Sequence, residues 1–192
     1  ITVFELDNKL KIVTIDQNYM KALFDACKEV FYMPSNYNNK PYIGILINDA
    51  GRKYAIPLTS AKEKHKSWDN YSNGKLLIYE ITYRLNVSNN DICKPLPDGS
   101  VKHILAALMI NKMIPIKDGV YSQININPDP SDAPDVVKYK QLLNKEFSFC
   151  VSKKDKIINE TNKIYSRQIA SGKVFAGYCD FKTLEKACDN YQ

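Results

Sequence analysis

Histidine and glycine are scarce in this chain: 192 residues hold two histidines and seven glycines. The glycines form neither a Gly-x-Gly-x-x-Gly turn after a strand nor a Gly-x-x-x-x-Gly-Lys-Ser/Thr loop. The backbone cradles of dinucleotide and nucleoside triphosphate sites are therefore missing. Gly-x-Ser-x-Gly is absent too, which removes the ordinary serine-hydrolase elbow. The five cysteines, Cys27, Cys93, Cys150, Cys179 and Cys188, are odd in number and include no Cys-x-x-Cys pair. With His65 and His103 far apart, no zinc spacing arises, and no acidic pair sits in a metal-like motif. We expect no metal and no cofactor. Buried, reduced thiols in a cytosolic protein are the plain reading. No apolar run reaches membrane-spanning length, and no order of charged, apolar and small residues resembles a secretory signal. The expected setting is the cytoplasm, with no membrane partner.

What is present is tyrosine and positive charge. Tyrosines number 13 against 7 phenylalanines, and the net charge is +6. Tyr has an apolar body and a polar tip, so many will close the core edge, while others could stack on bases. The charge excess suits an anionic partner and equally an ordinary basic protein. The length suits a single domain over residues 1–192 with a substantial core.

Leu10 to Ile15 alternates as a half-buried strand does. A helix should follow, capped by Thr14 or Asp16, with Tyr19, Met20, Leu23, Phe24, Cys27 and Phe31 at helical spacing. A Pro-, Ser- and Asn-rich loop from Met33 delivers Lys40 into a hairpin, Tyr42 to Ile47 and Lys53 to Leu58, turning at Asn48 to Gly51. Pairing across that hairpin makes Lys40 and Ser60 plausible neighbours. A further strand is expected at Lys75–Tyr83; Val101–Leu108 is apolar, Met113–Ile116 reads as a short strand or strand edge, and Asn86–Asp98 and Asn125–Pro134 read as polar, proline-containing loops. The last third reads as helical. One helix should be capped by Ser131 or Asp132, and a second by a Ser152/Asp155 capping box, with its stop at Gly172. Lys173 to Tyr178 reads as a closing strand, and Asp180 should cap a final helix to Tyr191. Strands first and helices later give an α+β fold with an antiparallel sheet.

The chemistry concentrates at Pro57-Leu58-Thr59-Ser60-Ala61-Lys62-Glu63-Lys64-His65-Lys66. A buried strand ends there in two hydroxyls followed by cations. The plain alternative is a capped strand end and a solvated basic turn. One reaction needs only such groups. RNA carries its own nucleophile, the 2′-hydroxyl. Ammonium and hydroxyl donors stabilise the developing phosphorane, and a crowded lysine lowers its pKa and can carry a proton. Lys153, Lys154, Lys156, Lys163 and Arg167 form one face of a late helix, which is either solvated or in contact with phosphates.

Four segments carry a family resemblance: Lys40-Pro41-Tyr42-Ile43-Gly44-Ile45, Lys53 through His65, Met113-Ile114-Pro115-Ile116 and Tyr139-Lys140-Gln141-Leu142. Together they resemble the ToxN/AbiQ/CptN family, the RNase toxins of type III toxin–antitoxin systems. The resemblance implies a compact twisted antiparallel sheet core with surrounding helices, similar to the Kid/MazF toxin fold. It implies a metal-independent endoribonuclease that leaves a 2′,3′-cyclic phosphate and a 5′-hydroxyl. The implied partners are substrate RNA and a repeat-derived antitoxin RNA pseudoknot that the toxin excises and that inhibits it, in a closed protein–RNA hetero-oligomer. Such systems act in plasmid maintenance and in phage defence by abortive infection. By motif position the expected catalytic residues are Ser60, Thr59, Lys62, Lys40 and Tyr19. Expected RNA contacts are Tyr37, Lys64, His65, Lys66, Lys153, Lys154 and Lys156, with Lys163, Arg167, Lys94 and Lys102 as further backbone contacts. A non-catalytic RNA-binding regulator on the same fold is the rival reading, and a gyrase-poisoning toxin is a second. Neither needs the hydroxyl–lysine cluster.

Overall fold

The computed structural model describes residues 3–34 and 40–192. An antiparallel sheet of nine strands forms its centre, with four α-helices around it. Strand β1 spans Phe4–Ile15, longer than its alternating half suggests, because its first part pairs with the end of the next strand through Phe4 and Asn48. Helix α1 (Gln17–Ala26) starts where the Asp16 carboxylate accepts the Tyr19 backbone N–H at 2.9 Å. It buries Tyr19, Met20 and Leu23 and stops at Cys27, so Phe31 lies outside it and packs instead against the small cluster of Leu77, Ile104, Ala107 and Met109.

Strands β2 (Tyr42–Asn48) and β3 (Lys53–Ser60) form the expected hairpin. The Asn48 side chain closes its turn by accepting the backbone N–H groups of Ala50 and Arg52. Strands β4 (Tyr71–Ser72), β5 (Lys75–Tyr83), β6 (Ile92–Pro95), β7 (Ser100–Met109), β8 (Ile114–Ile116) and β9 (Tyr121–Gln123) complete the order β4-β5-β7-β3-β2-β1-β9. β6 adds to β7, and β8 adds to β3. β6 lies inside the stretch expected to be a polar loop. Its pairing with β7 from Ile92↔Ile104 to Pro95↔Val101 overrides that polar composition.

β3 is the hinge of this topology. Its first residues, Lys53 to Ala55, pair with β8, and its last, Leu58 to Ser60, pair with β7. Pro57 falls in the gap between them. Leu58 donates to Pro41 on the β2 side, so the ring nitrogen of Pro57 faces the other edge, where no ladder bond is required.

Helix α2 (Pro134–Ser152) begins after Ala133 rather than at a Ser131 or Asp132 cap. The Asp132 carboxylate is occupied by Lys140 and the Asp129 backbone N–H, each at 2.8 Å. Helix α3 (Lys154–Ser171) has no capping box, because Ser152 still belongs to α2 and donates its hydroxyl to the Phe149 carbonyl at 2.6 Å. Gly172, at φ +65°, ends α3 as expected. Residues 173–178 do not form a strand. Tyr178 bonds back to Phe175 in a turn, and Cys179 donates to the Asn111 carbonyl. Helix α4 (Phe181–Asn190) is capped by Asp180 through the Thr183 N–H. Its Phe181 and Leu184 join Tyr54, Tyr165 and Phe4 in the main apolar cluster. Burying each such side chain contributes about 1.5–3 kcal/mol, which holds the helices against the sheet.

Candidate active site

Three elements meet at the end of β3. The pairing of Tyr42 with Pro57, carried back along both strands, places Lys40 opposite Thr59, one residue from the expected Ser60. On its other edge β3 pairs Thr59 with Ala107 and Ser60 with Ala106. Of the two, Ala106 borders the cavity and leaves room beside Ser60, and α2 crosses above. The result is a cavity of about 510 Å³ lined by Lys40, Thr59, Ser60 and Ala106 from the sheet side and by Tyr139, Leu142 and Glu146 from α2. A second hollow, on the β6 and β7 side, shares Ser60, Tyr139 and Leu142 with it. Among the described residues, none hydrogen-bonds the hydroxyl of Thr59 or Ser60, so both are available to a ligand.

Lys40 is the unusual cation. Burial pushes its pKa down to about 8, and the charge of Lys62 adds to the effect. Its Nζ lies 4.6 Å from the centre of the Phe31 ring. No described carboxylate pairs with it. Lys62 is held differently: its backbone N–H donates to Nδ1 of His65 at 3.1 Å. His65 sits in the short 3₁₀ turn Glu63–Ser67, buried against Trp68 with ring centres 4.4 Å apart. Burial, then the neighbouring lysines, lowers the pKa of His65 and keeps it neutral.

The structure brings together Lys40, Thr59 and Ser60, with Lys62 adjacent. It separates other expected residues. Tyr19 is not at the cavity. Its side chain is fully buried, its hydroxyl donates to the Pro115 carbonyl at 2.5 Å, and its ring packs on Tyr191. Tyr19 is therefore a core residue, placed there by the apolar face of α1. His65 is likewise no surface contact for RNA, being 1% exposed. Tyr37 lies outside the described residues. Lys64 reaches over the Trp68 ring, and Lys66 pairs with Glu63 at 2.7 Å. Lys153 and Lys154 are exposed at the junction of α2 and α3. Lys156 lies over the Tyr71 ring at 4.5 Å and beside Glu160. Lys163 and Arg167 border a separate hollow with Tyr71 and Tyr178. Lys94 and Lys102 face each other across β6 and β7. Among the described residues no group of three or more His, Cys, Asp or Glu is placed to hold a metal ion.

Sequence reasoning missed Glu146. Its signal was available: it falls three residues after Leu143 and four before Cys150, on the buried stripe of α2. A carboxylate at a core position of an amphipathic helix is a local inconsistency, and such inconsistencies mark functional sites.

The profile of the toxin ToxN of type III toxin–antitoxin systems matches residues 11–189. The endoribonuclease ToxN of Bacillus thuringiensis subsp. kurstaki is 25% identical over 189 residues, which cover 95% of this chain and 84% of that protein. A solved structure concerned with selective toxin inhibition by a non-coding RNA pseudoknot superposes with a TM-score of 0.71 at 22% identity, covering 96% of this chain and 98% of that one. Another, concerned with a processed non-coding RNA that regulates a bacterial antiviral system, gives 0.70 at 26% identity, covering 94% and 98%. With nearly its whole length matched, this chain belongs to the ToxN toxin family of type III toxin–antitoxin systems.

Proposed function

We propose that this protein is a type III toxin that cuts RNA at the end of β3, by attack of the substrate's own 2′-hydroxyl, without a metal. The observation that carries the reading is the convergence of Lys40, Thr59 and Ser60 on one cavity, with Lys62 close enough to depress Lys40. With a pKa of about 8, Lys40 holds a large neutral fraction near that pH, and its amine takes the 2′-hydroxyl proton. The Lys62 side chain sits beside the scissile phosphate as an electrostatic contact. Thr59 and Ser60 donate to its non-bridging oxygens, where charge develops. The products are a 2′,3′-cyclic phosphate and a 5′-hydroxyl. The named relative is an endoribonuclease, which supports the same activity here.

The partner in this reading is a repeat-derived pseudoknot RNA that the toxin excises and that then fills the cleft, in a closed protein–RNA assembly. A relative inhibited by a non-coding RNA pseudoknot supports it. We assign residues 1–192 to one working domain acting in the cytoplasm, in phage defence. No described helix is long and apolar enough to cross a membrane. The antiparallel sheet flanked by helices supports the finer likeness to the Kid/MazF fold. The test mixes purified protein with cellular RNA in EDTA, beside Ser60→Ala, and maps the 3′ ends. Site-specific cuts ending in cyclic phosphate, lost in the variant, support the nuclease. RNA bound but left intact would move the protein to the RNA-binding regulator.

A further inference from the structure

Among the described residues, Glu146 is a carboxyl group without a partner. It is 4% exposed, and no described side chain or backbone group hydrogen-bonds or ion-pairs with it. A buried carboxyl normally has such a partner, because isolation costs several kcal/mol in the ionised form. Glu146 is instead set in the wall of the cavity that holds Lys40, Thr59 and Ser60. Burial alone pushes its pKa up to about 8, so near neutral pH it is mostly the neutral acid.

We propose that Glu146 is the proton donor to the departing 5′-oxygen when RNA is cut in this cavity. The proposal rests on the RNA-cleavage reading above. The reaction balances as follows. The 2′-oxygen bonds to phosphorus, and its proton passes to the Lys40 amine. The bond from phosphorus to the 5′-oxygen breaks, its electron pair stays on that oxygen, and the oxygen takes the Glu146 proton. Lys40 is left as ammonium and Glu146 as carboxylate. Exchange with water resets both, with no net gain or loss of protons.

The surroundings support the assignment. Lys40 and Glu146 enter the cavity from opposite sides, one ahead of β2 and one on α2. Burial moves the two groups toward each other in acidity, which leaves a neutral amine and a neutral acid coexisting near pH 8. Paired groups whose environments fit them for opposite proton-transfer roles mark acid and base assignments. Thr59 and Ser60 on β3 border the same cavity without titrating in this range, and β7 contributes only Ala106. On its own helix Glu146 neighbours Tyr139 and Cys150, both held in their neutral forms by burial. The nearby Glu80 is already engaged by His103 and Lys145, each at 3.0 Å.

The experiment compares Glu146→Gln with the wild type on two substrates. One is ordinary RNA and the other carries sulfur in place of the bridging 5′-oxygen at the cut. A thiolate leaves without a proton. On ordinary RNA the variant should cleave about 10²- to 10⁴-fold more slowly, the range for loss of an acid catalyst. On the sulfur substrate it should return to within about tenfold of the wild type, since the step Glu146 serves is bypassed. The wild type alone gives a second readout: the fall in rate above pH 8, present on oxygen, should vanish on sulfur. Equal loss on both substrates, no loss on either, or an alkaline fall that persists on sulfur would overturn the proposal. If the wild type cuts neither substrate, the RNA-cleavage reading itself fails.

Discussion

Nδ1 of His65 accepts the backbone N–H of Lys62 at 3.1 Å, and that bond sets the direction in which the chain leaves β3. His65 is thus the brace of its neighbour. Its buried, neutral ring supplies an acceptor that only part of the side chain needs to provide. Asn can place a carbonyl oxygen near the Nδ1 position, whereas Ala leaves the N–H unpaired. We expect His65→Asn to keep cleavage within a few-fold. His65→Ala should lose about 1 kcal/mol of stability from the hydrogen bond, with more from the emptied contact with Trp68. Cleavage rates and thermal melts of the two variants check this. An Asn variant as inactive as a Ser60 variant would make the ring a participant in the chemistry.

Lys62 and Lys40 are coupled by charge, and the coupling has a sign. Lys62 disfavours the ammonium form of Lys40, so removing it lets the Lys40 pKa rise. If neutral Lys40 is the base, the acid limb of the rate profile should move to higher pH in Lys62→Met. Burial is the larger cause of the low value, so the move should be smaller than the whole displacement from 10.5 to about 8. The plateau rate should also fall, by about 10²-fold or more, as one electrostatic contact to the phosphate is lost. A limb that stays in place, or moves to lower pH, would count against Lys40 as the base.

Much of this site was legible in the sequence, and the reason is local. The hairpin with its Asn48 turn, the handover from apolar strand to Thr59 and Ser60, and the caps at Asp16 and Asp180 are written within a few residues of where they act. Tyr19 entered the expected site by motif position alone, although its pattern as an aromatic on the first turn of a helix reads equally as a core-edge residue. Its place was decided by Pro115 and Tyr191, far along the chain. β6 was hidden because polar edge strands depend on their partner, here β7, more than on their own pattern. Glu146 needed the opposite habit, reading an acid on an apolar stripe as a signal.

Glu146 also predicts how stability varies with pH. The folded protein holds this proton to about pH 8, while the unfolded chain releases it near 4.5. Between those values the folded state binds more protons, so stability falls as pH rises through the window. Above about 8 the cost is complete. Glu146→Gln lacks that term, so its melting temperature should approach the wild type's near pH 5 and exceed it by several degrees near pH 9. Melting curves at the two pH values decide it, and parallel behaviour of the two proteins would show a carboxyl that is not isolated.

Gly74 separates stability from chemistry. It has φ +76°, and a Cβ there would meet Ile164 Cδ1 at 2.8 Å and Asn111 Cβ at 3.0 Å. Gly99, at φ +85°, has nothing within 4 Å of such a Cβ. Gly99→Ala should cost about 1–2 kcal/mol from backbone strain alone. Gly74→Ala should cost that and about 1–3 kcal/mol more from overpacking. Both folded fractions should cut RNA at the wild-type rate, because neither glycine lines the cavity. Denaturant titration ranks the two variants, and equal costs would mean that Ile164 yields freely.

The basic surface can be apportioned by salt. Lys153 and Lys154 are exposed, and no described carboxylate pairs with either. Lys66 and Lys156 instead stand beside Glu63 and Glu160. A lysine that neutralises a phosphate releases a counterion, worth about 0.7–0.9 in the slope of log affinity against log salt. If the junction of α2 and α3 is where antitoxin RNA runs, replacing Lys153 and Lys154 by Gln should flatten that slope by between one and two. Cleavage of a short substrate that fills only the cavity should be unchanged. Replacing Lys66 should flatten the slope less, since its charge is already partly answered by Glu63. Binding titrations at several salt concentrations separate these cases. An unchanged slope in the double variant would confine the RNA to the face around the cavity.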